Sequence, residues 1–139
     1  MTEYGVDFLK MGIYKEVTDL ISGFVTELRR LVRKAESGIE ISRGCRSLLD
    51  LERAYFRDVL ELLCNHAVDD FGKLIARVKP ATLRSQLKDE LVLNLKRAAA
   101  MTVIESDLCR TVLMDEFSEL MTRFSADLER TVRRPPIAA

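Results

Sequence analysis

The residue best equipped for chemistry in this 139-residue chain is its one histidine, His66. A single imidazole can serve as a general base, a phosphate acceptor or a metal ligand. Each role needs company, and the spacing does not supply it. Asp69 and Asp70 follow three and four residues later, where acids would repel an incoming phosphate. Cys64 lies two residues before His66, so on a helix the two side chains point to different sides. No Glu-x-x-His, Cys-x-x-Cys or His-x3-His spacing is present, which removes the di-iron and zinc patterns. The six glycines form neither a phosphate loop nor a dinucleotide fingerprint. The acidic pairs Asp69-Asp70, Asp89-Glu90 and Asp115-Glu116 are adjacent on expected helices and read as solvated faces. The expectation is a protein that is not an enzyme and holds no cofactor or metal. His66 is kept as a candidate pocket residue, at the edge of an apolar face.

One charge pattern has content. Arg29, Arg30, Arg33 and Lys34 crowd the end of the first expected helix, and Arg43 and Arg46 follow. Basic residues there complement the helix dipole. They are also candidates for binding an anion or an acidic partner. If three helices run up, down and up, Arg130, Arg133 and Arg134 join the same pole, diluted by Glu36, Glu40, Asp127 and Glu129. Such a pole suits a nucleic-acid backbone. Overall charge gives no help, because 22 basic residues balance 22 acidic ones. If the last helix breaks, the tail moves to the opposite pole and the cluster loses its third-helix members.

The elements that place these residues are helical. Tyr14, Val17, Ile21, Phe24, Leu28, Leu31 and Ala35 alternate spacings of three and four, a heptad stripe. Val25 and Val32 widen it to suit a helix with two neighbours. This helix is expected from about residue 11 to residue 37, with Ser37-Gly38 as its stop. A linker to Gly44 offers Ile39 and Ile41 as plugs for the end of the core. A second helix is expected from about 45 to 78, ended by Pro80. Its main stripe is Leu49, Phe56, Leu60, Leu63, Ala67, Phe71, Leu74 and Val78. A second apolar face carries Leu48, Leu51, Tyr55, Val59 and Leu62.

Residues 81–134 contain no glycine and no proline. They read as one very long helix, or as two helices broken near 102–107. Leu87, Leu91, Leu95 and Ala98 do not join in phase with Leu113, Phe117, Leu120, Phe124 and Leu128, and Thr102 to Glu105 fits a capping box. The missing turn residue tips the reading toward one long helix, bent at the junction. Leu108, Val112, Met114 and Met121 widen its apolar face.

The fold class is therefore all-α: an antiparallel helical bundle of three or four helices. Residues 1–134 are expected to form one domain and 135–139 a disordered tail. Hydrophobic residues make up 47% of the chain, enough for a core at this size. No apolar run reaches the roughly 18 residues of a membrane span, and no secretory signal is visible at the N-terminus. Cys45, Cys64 and Cys109 are odd in number and widely spaced, which suits reduced thiols in a cytoplasm. Surplus apolar faces predict self-association, most simply as a homodimer. The expected function is a protein-interaction module with an unknown protein partner: an adaptor, regulatory or chaperone-like subunit working through helical grooves. The alternatives are a nucleic-acid-associated subunit using the basic pole, and a small-ligand sensor with a pocket near His66.

Overall fold

In the computed structural model, residues 3–79 and 81–133 are described, with side chains from residue 12 onward. They form five helices that pack on one another: α1 (Glu3–Ile41), α2 (Arg46–Ile75), α3 (Ala81–Ile104), α4 (Asp107–Val112) and α5 (Met114–Arg133). No strand occurs among the described residues. The helix count is five rather than three or four, because a short extra turn, α4, joins two long helices.

The first helix is longer than expected at both ends. It begins at Glu3 and runs through Ser37 and Gly38 to Ile41. Gly38 is not a stop. It lies where α1 presses on α2, and the Glu52 carboxylate occupies the space a β-carbon would take. The stop falls at Gly44, whose φ of 87° lies in the left-handed region that favours glycine. Continuing the helix separates the two isoleucines by about 200° around its axis. Ile39 plugs the core at 1% exposure, and Ile41 stands in solvent at 83%. Of the two expected plugs, only Ile39 serves.

Inside α1, Val17, Phe24, Leu28, Leu31 and Ala35 are buried, with Tyr14 and Ile21 half-buried against them. Val25 and Val32 are buried too. Phe24 stacks on Phe124 of α5 with ring centroids 5.8 Å apart, tying the first helix to the last. Gly23 sits mid-helix with open space around its α-carbon. Gly23→Ala is expected to raise stability by about 1 kcal/mol, read as a higher urea midpoint at unchanged slope.

In α2, Phe56, Leu60, Ala67, Phe71 and Leu74 face the core as the stripe predicts, joined by Val78 beyond the helix end. Pro80 lies outside the described residues.

The segment from residue 81 onward is not one helix. It breaks at Glu105-Ser106 and kinks again at Leu113. Ser106 does what a turn glycine would do elsewhere. Its backbone is extended (φ −99°, ψ 111°), and its buried hydroxyl accepts from the Cys109 N–H at 3.2 Å. Thr102 is not the cap. It lies inside α3, where its hydroxyl donates to the Ala98 carbonyl at 2.8 Å.

Contacts between helices fix their directions. Lys34 meets Tyr55 at one end of the α1–α2 pair and Glu16 meets Arg77 at the other, so these helices run oppositely. Arg57 pairs with Glu119 at 2.7 Å and Glu61 with Arg123 at 3.2 Å, so α2 and α5 run the same way. Lys88 bonds Glu129 at 2.8 Å across α3 and α5. These pairs are partly exposed and set register more than stability, at about 0–1 kcal/mol each. Both α2 and α3 pack on α1 and α5 but hardly on each other, so they sit diagonally across the fold.

Candidate functional site

The second apolar face of α2 is uncovered. Leu51 is 64% exposed and Leu62 59%, with Leu48 and Tyr55 also exposed and Val59 half-buried. The reason is angular. Phe56, Leu60 and Cys64 take the inward side, and Leu51, Tyr55 and Leu62 lie roughly opposite them around the axis. Ile41, the last residue of α1, is exposed as well.

A second uncovered face lies on α3, where Leu93, Met101 and Ile104 are exposed. The heptad reading of the last segment missed it. It pointed to Leu108, Val112, Met114 and Met121, which are half-buried or buried against the core. The signal was present as Leu93, Ala100 and Ile104 at helical spacing, but Arg97 interrupts it.

The basic cluster is dispersed. Arg30 pairs with Glu27 at 3.1 Å. Lys34 donates to the Tyr55 hydroxyl at 2.9 Å, and that bond holds its ammonium above the usual lysine value. Arg29 and Arg33 line a cleft of about 430 Å³ between α1 and the α3–α4 junction, but Glu36 and Glu105 line it too. Arg43 and Arg46 are exposed beside the α1–α2 turn. Because the chain breaks at Ser106, α5 ends at the other pole. Thr131 lies against Gly72, far along α2 from that turn. There Arg130 pairs with Asp127, and Arg133 sits 3.6 Å from Glu129. Arg133 therefore does not join Arg29, Arg30, Arg33 and Lys34. Arg134 and the tail 135–139 lie outside the described residues.

His66 is exposed on the rim of a groove of about 400 Å³ between α1 and α2. Leu20, Gly23, Phe24, Leu63 and Ala67 line it together with Asp19, Glu27 and Asp70. No group of three or more histidine, cysteine or acidic side chains among the described residues is placed to hold a metal.

The thiols are unequal. Cys64 is buried, and desolvation, aided by Asp127, pushes its thiol up to about 12. Cys109 is buried, its thiol is raised by desolvation, and its Sγ lies 3.7 Å from the Val32 carbonyl. Cys45 is exposed. Iodoacetamide at pH 8 is expected to label one thiol of the folded chain and all three in guanidinium, read by mass spectrometry.

No helix among the described residues is long and apolar enough to cross a membrane. Compared with family models, curated proteins and solved structures, the chain matches none of them.

Proposed function

We propose that this chain is a non-catalytic protein-interaction module that associates with itself through the outer face of α2. On this reading it is a bundle whose successive long helices alternate in direction, with α4 as a tight connection. The observation that carries it is the exposure of Leu48, Leu51, Tyr55 and Leu62 on one continuous helix face. A scattered exposed leucine needs no explanation, but four large apolar side chains on one face over four helical turns, with Asp58 among them, mark a contact surface. Covering a leucine fully contributes about 1.5–3 kcal/mol relative to leaving it in water. Covering several such side chains from each copy works against a cost of association of about 4–15 kcal/mol.

The nucleic-acid reading is the weaker one. It rests on Arg29, Arg30, Arg33, Lys34, Arg43 and Arg46 without support from α5, and Arg30 and Lys34 already have partners.

The test is the double variant Leu51→Glu, Leu62→Glu, measured by light scattering after size exclusion at micromolar concentration. The wild type is expected above the mass of one chain and the variant at one chain, with the same helical circular dichroism. A wild type running as a single chain contradicts the proposal.

A further inference from the structure

We infer that the α2 face of one copy docks on the α3 face of the next, so that the assembly is head-to-tail. This inference rests on the self-association reading and specifies its interface.

The two faces match in register. On α2 the midline facing away from the core is Leu51, Tyr55, Asp58 and Leu62, spaced four, three and four residues. On α3 the corresponding line is exposed Leu93, Arg97 and Ile104 with half-buried Ala100 between them, at the same spacing. Within one copy α2 and α3 run in opposite directions, because α2 opposes α1 while α3 ends beside the C-terminal half of α1. Two copies standing the same way up therefore bring α2 and α3 together antiparallel. Aligned on Leu62 against Leu93, the seams set Asp58 against Arg97, Tyr55 against the small Ala100, and Leu51 against Ile104.

Charge selects this pairing over a twofold one. Asp58 and Arg97 each sit mid-seam, and neither has a hydrogen bond or ion pair among the described residues. Head-to-tail docking supplies each with its opposite. An antiparallel twofold pairing of α2 seams that sets Leu51 against Leu62 instead places Asp58 against the second copy's Tyr55, where no opposite charge meets either carboxylate. Because α2 and α3 lie diagonally across the fold, docking one face leaves the other free. The contact is heterologous, and it builds a ring or an open chain of copies rather than a closed dimer.

Two blocked variants test this: Leu51→Glu, Leu62→Glu for the α2 face, and Leu93→Glu, Ile104→Glu for the α3 face. Each is expected to be a single chain alone, folded by circular dichroism. Their equimolar mixture is expected to give a two-chain species, since each retains the face the other lacks. If the α3-blocked variant assembles like the wild type, head-to-tail docking is overturned and α2-to-α2 pairing stands. If the wild type is itself a single chain, the self-association reading fails as well. A gentler pair serves if a blocked variant does not fold. Asp58→Arg and Arg97→Asp are each expected to weaken association about tenfold, and the two mixed are expected to recover it. An Arg97→Asp chain that associates as tightly as the wild type overturns the inference.

Discussion

Phe56→Ala is expected to lower folding stability by about 3–5 kcal/mol, the cost of emptying a fully buried aromatic site. Phe56 is 0% exposed at the centre of the inward face of α2, between the turns that carry Arg53 and Leu60. The thermal midpoint should fall by roughly 10–20 °C for a chain of this size. The adjacent residue supplies the control. Tyr55 is exposed; its hydroxyl accepts from Lys34, whose ammonium also lies 4.9 Å from its ring centroid. Tyr55→Ala is expected to cost about 1 kcal/mol or less in the monomer while weakening self-association. Equal losses at 55 and 56 in calorimetry would mean that the inner and outer faces of α2 are wrongly assigned.

Ile39→Asp and Ile41→Asp should differ as sharply. At 39 a carboxylate would be driven into the core with no partner, at a cost above about 3 kcal/mol. At 41 the same change meets water and should stay within about 0.5 kcal/mol. Urea denaturation of the two variants measures the difference. It exists because α1 continues as a helix through Gly38. A chain that turned at Ser37-Gly38 would let both isoleucines cap the core, and both substitutions would then be costly.

Much of this fold is visible in apolar spacing, because burial along a helix repeats every three or four residues whatever the neighbours are. The α1 stripe from Val17 to Ala35, the α2 stripe from Phe56 to Val78 and the α5 stripe from Leu113 to Leu128 all face the core. The connections are harder to read. Gly38 looks like a helix stop, yet it serves the close approach of Glu52, and the turn waits for Gly44. The break before α4 uses neither glycine nor proline. A serine hydroxyl capping a backbone N–H replaces them, and Ser106 resembles any other polar residue in the sequence. That one misread junction decides where Arg130 and Arg133 lie, and with them whether a basic pole forms.

The candidate surface was half legible. Leu48, Leu51, Tyr55 and Leu62 stand out because α2 has two apolar faces and only one can point inward. The α3 face is obscured by Arg97 and Ala100, which break the run of large apolar residues between Leu93 and Ile104. The spacing puts His66 beside the second apolar face of α2; the groove it rims lies instead between α1 and α2, lined by Leu63 and Ala67. Its neighbours Asp19 and Glu27 come from another helix, and no sequence spacing announces them.

Sedimentation equilibrium of the wild-type chain from about 0.1 to 100 micromolar tests the central claim most directly. The weight-average mass should climb reversibly with concentration, from one chain toward several. A mass fixed at one chain across the whole range would contradict it.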